Sequence, residues 1–340
     1  MSLTTVPVPD SLEQALSSEW LTSALGVGVV AVTPGPVVDR ISTNARFSIE
    51  QADGSSQSLC VKGYFNDIGR AARYIGAPVA YFYRDLAAAT GVRTLRSVYA
   101  DVDPTTQHGV IITEDIVSHG GSFLDAITTY TPDQTAQTLA EFARLHATTW
   151  NAARWADEPW LDPRLGRVLE VWGEPATLDI IDRNLNGPNG QRTPAEVRDA
   201  AGLVDAYRGL IAVATVGPWC VIHGDAHVGN VFLDAAGTPS LVDWQLVQRG
   251  AWYLDVGYHI ASTLTVDERR RNERDLLQHY LDALVSYGVT PPSWEEAWPA
   301  IAFGMLHGFF LWGITTKVQP AIIETLLHRL GTAVADHRRH

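Results

Sequence analysis

The pattern of apolar and polar positions divides the chain into a strand-rich first third and a mainly helical remainder. In the first third, alternating runs such as ARFSIE and SLCVKGYF flank the turn residues Asp53-Gly54 and predict a β-hairpin. Between the predicted strands, IGRAARYIGAPVAYFYRDLAAAT has the apolar spacing of helices, which we expect to be interrupted near Gly76 and Pro78. These patterns predict a small α+β unit.

The remainder of the chain carries repeated helix-start signals. Residues 131–134, 265–268 and 293–296 each place Thr or Ser three residues before Gln or Glu, which is the spacing of a capping box. The longest apolar run, from Pro299 to Ile314, is shorter than the roughly 20 residues that span a bilayer. We therefore predict a buried helix there and no membrane span.

No internal repeat and no long linker interrupts this order. We expect two lobes, at residues 1–115 and 116–340, with a cleft between them. The small first lobe is predicted to be β-rich, and the larger second lobe to be mainly helical, within the α+β class.

Composition limits the partners and the compartment. The chain has 340 residues, 46% of them hydrophobic, and its 25 basic and 38 acidic residues give a net charge of -13, which argues against a nucleic-acid partner. Cys60 and Cys220 lie far apart in strand-like runs and argue against a disulfide framework. The N-terminal MSLTTVPVPDSLEQAL lacks the pattern of a secretory signal, so we expect a cytoplasmic protein.

Candidate chemistry is concentrated in VIHGDAHVGNVFLDAAGTPSLVDWQ, residues 221–245. The runs VFL and SLVDW flank a turn and predict a hairpin over residues 231–242. Asn230 would precede one strand and Asp243 would follow its partner, so that the two side chains lie at cross-strand distances of about 5 Å. Their oxygens suit Mg²⁺, and Asp225 lies in a loop that can fold over the same end.

The spacing Asp-x-x-x-x-Asn, with an Asp after the following hairpin, resembles the catalytic loop and metal-binding Asp of protein kinases. HGDAHVGN, VDW and the upstream RLHATTW resemble more specifically the aminoglycoside phosphotransferase and choline kinase family, closest to its ecdysteroid-kinase-like bacterial members, over about residues 40–330. The resemblance implies a two-lobe, protein-kinase-like fold, with nucleotide binding in the first lobe. It also implies ATP-dependent phosphorylation of a small-molecule hydroxyl, with Mg²⁺, in the second.

The resemblance assigns roles to individual residues. Asp225 would orient the acceptor hydroxyl and accept its proton, while Asn230 and Asp243 would bind Mg²⁺. Lys62, in SLCVKGYF, would contact the phosphates of ATP. Further roles are implied at Ser42, Thr43 and Asn44, in a phosphate loop without a glycine-rich pattern, at His223 and Asp255, which would support the catalytic loop, and at His227, in the loop or near the nucleotide.

One position departs from the family pattern. The family places a Glu before an aromatic pair such as the one in AYFYRDL, where it holds the lysine, but the corresponding residue here is Val79. Asp67 or Asp85 could replace that Glu.

Two other functions are compatible with parts of the pattern. His223, Asp225 and His227 alternate as the ligands of a metallohydrolase could, binding Zn²⁺ or Mn²⁺. That function leaves Asn230, Asp243 and Lys62 without a role. A pseudokinase that binds nucleotide without turnover is the other alternative.

The large aromatic residues of the second lobe bear on the nature of the acceptor. We expect most of them to pack in the core, but eleven Trp in the chain are more than a pocket for a heavily charged sugar would suggest. Polycationic aminoglycosides call for clustered carboxylates, whereas Glu295 and Glu296 are placed as ordinary first-turn helix charges. We therefore expect an apolar hydroxylated acceptor, such as a sterol-like, terpenoid or hydroxyacyl compound. The aromatic set comprises Trp172, Trp252, Tyr253, Trp294, Trp298, Phe309, Phe310 and Trp312.

Overall fold

A computed structural model describes residues 6–338, so the first five residues of the N-terminal segment considered above lie outside the described part. The chain forms two compact units. The first contains the described residues up to Ser122 together with Asp234–Gly237 and Val242–Gln245, and the second contains Phe123–Leu233, Thr238–Leu241 and the chain from Leu246. The predicted functional division into 1–115 and 116–340 stays a prediction.

The first unit is built on a five-stranded sheet in the order β1-β2-β3-β5-β4. Its neighbouring strands pair antiparallel, and the predicted hairpin at Asp53-Gly54 is confirmed as the connection between β2 and β3. Alternate residues of β2 and β3 are buried in an apolar core that also contains Trp20 and Leu21. The strands are β1 (Val29–Asp39), β2 (Thr43–Gln51), β3 (Ser56–Gly63), β4 (Ser97–Val102) and β5 (Gly109–Glu114).

The helices of the first unit include one wrong prediction. The helix α4 runs without a break through Gly76 and Pro78, and a π-helical turn follows it at Phe82–Leu86. Gly76 is used for close packing, because a Cβ there would lie 2.2 Å from the ring of Tyr64. The helices are α1 (Leu12–Ala15), α2 (Ser18–Leu25), α3 (Asp67–Arg70), α4 (Arg73–Tyr81) and α5 (Ala87–Thr90).

The second unit is mainly helical, as predicted. Capping boxes open α6, α11 and α12 at Thr131, Thr265 and Ser293, which confirms the three start signals. Most of the predicted buried run lies within α12, and no described helix is long and apolar enough to cross a membrane. The helices are α6 (Pro132–Thr149), α7 (Arg167–Trp172), α8 (Glu174–Asn186), α9 (Ala200–Ala214), α10 (Tyr253–Thr263), α11 (Val266–Ser286), α12 (Trp294–Gly313) and α13 (Pro320–His337).

Short strands flank the predicted catalytic loop and pair with neighbouring strands. The predicted hairpin is confirmed, with Val231 paired with Leu241, so Asp243 follows the last paired residue by two positions and not by one. The strand β7 pairs antiparallel with β10, and Cys60 and Cys220 both lie in strands, as expected. These strands are β6 (Ser122–Phe123), β7 (Cys220–Ile222), β8 (Val231–Leu233), β9 (Pro239–Leu241) and β10 (Gln248–Gly250).

Candidate functional site

The predicted catalytic loop spans the connection between β7 and β8 in the second unit. It ends in a single 3-10 turn, Val228–Asn230, whose start is capped by His227: its Nδ1 accepts a hydrogen bond of 3.0 Å from the Gly229 N–H. Both ends of the loop therefore continue into paired strands.

Asp225 is held in this loop by two hydrogen-bond donors. Tyr258 donates to Oδ1 over 3.1 Å, and the Asn230 amide donates to Oδ2 over 3.1 Å. Burial raises the pKa of Asp225, but the nearby His227 and His223 and the Tyr258 hydroxyl outweigh it and bring the pKa down to about 2. The carboxylate is therefore ionised at neutral pH and suited to accept a hydrogen bond from an alcohol.

The geometry also fixes which atom of the Asn230 amide is free. Its Nδ2 donates to the main-chain oxygen of Asp225 over 2.8 Å as well as to Oδ2. Both partners only accept, so the nitrogen has to occupy this side of the amide. Asn230 Oδ1 is left to act as a ligand for a hard cation.

Asp255, predicted to support the loop, lies fully buried beneath it. Its carboxylate accepts the backbone N–H groups of His223 and Gly224 over 2.7 and 2.8 Å, and His146 Nε2 lies 3.1 Å away. Burial raises the pKa of Asp255, but the hydrogen bond and charge of His146, with the other donors, hold it below its usual value. The carboxylate thus ties down the start of the loop.

His146, from the motif RLHATTW, has a second contact on the other side of its ring. Its Nδ1 lies 2.8 Å from the Tyr280 hydroxyl, while Nε2 faces Asp255. Tyr280, His146 and Asp255 therefore form a buried chain of hydrogen bonds. The motif RLHATTW, which contributed to the family resemblance, was the available signal.

His307 was missed as a functional residue. It lies buried in α12, with Nε2 3.0 Å from the main-chain oxygen of Gly224 and Nδ1 3.2 Å from the Tyr207 hydroxyl. His223 contributes from within the loop, because its Nδ1 accepts the Asp225 N–H over 3.3 Å. A lone histidine inside the apolar run of α12 was the sequence signal for His307.

The first unit contains a second set of predicted site residues. Lys62 Nζ lies 2.9 Å from Asp243 Oδ1, with the two side chains 16% and 41% exposed. The backbone of Asp243 has a φ of 64°, which is uncommon for a residue other than glycine. The next residue, Trp244, stacks on Phe82 with ring centroids 3.7 Å apart and donates to the Thr94 hydroxyl. These contacts fix the backbone directly after Asp243.

Lys62 has a different partner from those considered in the sequence. Val79 is buried, and Asp85 forms hydrogen bonds with the guanidinium of its neighbour Arg84. The structure pairs Lys62 with Asp243 instead of Asp67 or Asp85.

The predicted phosphate-loop residues differ in their surroundings. Asn44 lies directly opposite Lys62 in the β2–β3 register, so it shares a face of the sheet with the lysine. Thr43 is buried, and its hydroxyl donates to Asp39 over 2.7 Å. Ser42 is partly buried in the preceding turn.

The metallohydrolase alternative finds no support in the described part of the chain. No group of three or more His, Cys, Asp or Glu side chains within residues 6–338 is arranged to hold a metal ion. In particular, Nδ1 of His223 faces the backbone of the loop.

Comparison with known families decides the class of protein. A family model described as "Phosphotransferase enzyme family" matches residues 122–297, just over half of the chain. The chain belongs to this family. The match includes the loop of Asp225 and Asn230 and the position of Asp243, and it confirms the family and the phosphotransferase class expected from HGDAHVGN and VDW.

Solved structures show the same fold. Choline kinase LicA from Streptococcus pneumoniae superposes with a TM-score of 0.54 at 14% identity, covering 97% of this chain and 100% of that one. Spectinomycin phosphotransferase APH(9)-Ia, in complex with ADP and spectinomycin, gives 0.53 at 12% identity, with 98% and 100% covered. A choline kinase from Cryptosporidium parvum Iowa II gives 0.56 at 8% identity, with 96% and 92% covered.

The predicted kinase-like fold is therefore confirmed: a β-sheet unit and a larger helical unit are those expected of this family. No curated protein sequence matches the chain.

Proposed function

We propose that the protein is a kinase that transfers the γ-phosphoryl group of ATP, in the presence of Mg²⁺, to a hydroxyl group of a small molecule. The observation that carries this proposal is the Asp225 carboxylate, which is ionised, held from two sides and still 30% exposed. The phosphotransferase family supports the reaction class. The similar structures solved with AMP and with ADP support an adenine nucleotide.

Asp225 would act on the acceptor. Phosphoryl transfer passes through a loose transition state, so alignment of the attacking oxygen is the larger part of catalysis. A carboxylate with a pKa of about 2 is a weak base, but it accepts a hydrogen bond from an alcohol throughout the neutral range. Asp225 would therefore orient the hydroxyl first and receive its proton as the bond to phosphorus forms.

Asn230 and Asp243 would supply oxygen ligands to Mg²⁺. The donor set fits, because Asn230 Oδ1 is left free by the fixed orientation of its amide and the Asp243 side chain is 41% exposed. The cation would neutralise phosphate charge. Lys62, paired with Asp243 on the same sheet unit, would contact the phosphates, and Asn44 shares its face of the sheet.

The remaining predicted residues would act in support. His223 and Asp255 would hold the loop backbone, and His227 would hold the turn before Asn230 through its contact with the Gly229 N–H. Thr43 and Ser42 would shape the turn over the phosphates, Thr43 through its bond to Asp39.

An apolar hydroxylated acceptor remains our proposal for the substrate. Glu296 completes the capping box of α12 with Ser293, which gives that carboxylate a structural use. The short helix α7 exposes Val171 and Trp172, which offers apolar surface in the unit that also contains Asp225. Two of the similar structures are a choline kinase and a spectinomycin phosphotransferase, so polar acceptors belong in the test.

The test is a panel assay of Mg²⁺-dependent ATP consumption. Hydroxysteroids, terpenoid alcohols, hydroxyacyl thioesters, choline, simple sugars and kanamycin-type amines are each incubated with the protein, and phosphorylated products are confirmed by mass. Turnover of an apolar alcohol supports the whole proposal. Turnover of amines alone overturns the apolar acceptor and leaves the kinase standing, whereas ATP binding without any transfer favours the pseudokinase alternative.

A further inference from the structure

The hydroxyl of Tyr258 lies in a chain of hydrogen bonds that ends on Asp225. It is 3.1 Å from Asp225 Oδ1, and Trp312 Nε1 is 2.6 Å from the same hydroxyl. An indole N–H can only donate, so the tyrosine oxygen accepts from Trp312 and directs its own proton to the carboxylate. The direction from Trp312 through Tyr258 to Asp225 is therefore set by the chemistry of the groups.

Helix packing explains how the tyrosine reaches the loop. Tyr258 lies in α10, and its ring packs against Gly308 of α12, where a Cβ would lie 2.3 Å from the ring. Gly308 and Trp312 are four residues apart and lie on one face of α12. The glycine leaves room for the ring and the tryptophan covers the hydroxyl, which leaves Tyr258 with no exposed surface.

The two donors to Asp225 constrain different oxygens. The Tyr258 hydroxyl donates a hydrogen bond to Asp225 Oδ1, and the Asn230 amide donates one to Asp225 Oδ2. Rotation of the carboxylate about its Cβ–Cγ bond would break both hydrogen bonds, so the remaining lone pairs keep a fixed direction. A misdirected acceptor oxygen slows phosphoryl transfer, because this reaction depends on alignment.

We propose that Tyr258, held in place by Trp312, is a positioning residue that fixes the Asp225 carboxylate for the acceptor hydroxyl. The inference rests on the proposed kinase function and adds two residues that lie outside the HGDAHVGN loop. Trp312 acts through the Tyr258 hydroxyl, and Tyr258 acts through Asp225.

Removal of single donors tests this chain. Tyr258→Phe keeps the ring and removes the hydroxyl; we expect kcat to fall roughly ten- to hundredfold, the size expected for a hydrogen bond to a charged group. KM for Mg·ATP and the affinity for AMP-PNP should not change, because the Tyr258 hydroxyl acts on Asp225, which would contact the acceptor and not the nucleotide. Trp312→Phe removes the indole donor and should lower kcat by roughly two- to tenfold.

The double variant gives the sharpest result. If Trp312 acts through the Tyr258 hydroxyl, Tyr258→Phe/Trp312→Phe should have the same kcat as Tyr258→Phe alone. Two residues that affected kcat independently of each other would instead give losses that multiply. Rates are measured with the acceptor found in the panel assay, and with water as acceptor in slow hydrolysis of Mg·ATP.

Tyr130→Phe is the matched control. This variant also removes a buried tyrosine hydroxyl from the helical unit. The Tyr130 hydroxyl forms hydrogen bonds with the Thr138 hydroxyl and with the main-chain oxygen of Gln134. Its kcat should equal that of the wild type. Thermal unfolding followed by circular dichroism establishes that each variant is folded.

Three results would overturn the inference: full kcat in folded Tyr258→Phe, multiplying losses in the double variant, or a loss of ATP affinity equal to the loss of kcat. Should Tyr258→Phe not fold, an unchanged kcat in Trp312→Phe overturns it as well. Failure of the kinase proposal is seen separately, because the wild type would then transfer phosphate to no acceptor, whether or not it bound AMP-PNP.

Discussion

The two units hold their acidic site residues in opposite ways. In the helical unit, Asp255 has no exposed surface and receives hydrogen bonds from two backbone N–H groups and His146. In the sheet unit, the Asp243 side chain is 41% exposed and pairs with Lys62. The buried carboxylate binds the backbone of a loop, whereas the exposed one is available to other ligands.

The difference has an energetic side. An ion pair as exposed as Lys62–Asp243 contributes up to about 1 kcal/mol, so a metal ion or a phosphate can replace either partner at low cost. Removal of one partner from a buried, hydrogen-bonded charge costs about 3–5 kcal/mol. In the proposed kinase, the acceptor side around Asp225 would therefore be preorganised, and the phosphate side around Lys62 and Asp243 would rearrange when its ligands bind.

The largest effect is expected at the exposed carboxylate. Asp243→Ala should lower Mg²⁺-dependent transfer by about 10³-fold or more, because the proposed metal ligand is lost. The melting temperature should change little, since the Lys62 pair is partly exposed. Asp53→Ala, an exposed aspartate in the β2–β3 hairpin, is the control and should keep full turnover. Normal turnover in folded Asp243→Ala would refute the metal assignment.

Substitution of the buried Asp255 should affect stability strongly, unlike substitution of the exposed Asp243. Asp255→Ala leaves the N–H groups of His223 and Gly224 without their acceptor, so the free energy of unfolding should drop by about 3–5 kcal/mol. Lys62→Met, which breaks the exposed pair, should change it by about 1 kcal/mol or less. Urea unfolding followed by circular dichroism measures both. Equal losses in the two variants would contradict the contrast between the units.

Asp225 lies between these extremes, because it is buried on one side and open on the other. Asp225→Asn keeps the size and removes the charge, so kcat should decrease by about 10²-fold while the affinity for AMP-PNP changes little. Steady-state kinetics and calorimetric titration give the two values. An equal loss of both would make Asp225 a metal ligand or a structural residue.

Much of this site could be predicted from the sequence because its residues are close together along the chain. The hairpin over Val231 and Leu241 follows from alternation and turn residues, and it was confirmed. The three capped helices were equally local features. Gly76 and Pro78 misled the prediction, because close packing against Tyr64 requires a small residue in α4 that also resembles a helix breaker.

The missed contacts share one property, which is long separation along the chain. Tyr258 reaches Asp225 across 33 residues, and His307 reaches Gly224 across 83. The partner of Lys62 lies 181 residues away, at Asp243. No periodicity or local spacing specifies such pairs, which depend on how helices and strands pack after they form.

A gradual effect, spread over the pH scale, is expected in both units alike. Burial lowers the pKa of His108 in the sheet unit and of His259 in the helical unit to about 4. Both values lie below that of an unfolded histidine, about 6.5, so the unfolded chain binds more protons between pH 6.5 and 4. Stability is complete above that range and should decline by about 1.4 kcal/mol per pH unit for each histidine as the pH falls through it.

His108→Gln tests this in one unit. Its amide oxygen can still accept the Tyr64 N–H that His108 Nε2 accepts over 2.9 Å, and it does not titrate. The decline in unfolding free energy from pH 6.5 to pH 4, measured in urea, should therefore be shallower than in the wild type by about 1.4 kcal/mol per pH unit. His119→Gln, at an exposed position of the same unit, should leave the slope unchanged. If the pH slope of the unfolding free energy in His108→Gln equals that of the wild type, His108 takes up its proton without unfolding the sheet unit. The contrast between buried and exposed groups would then rest on the carboxylates alone.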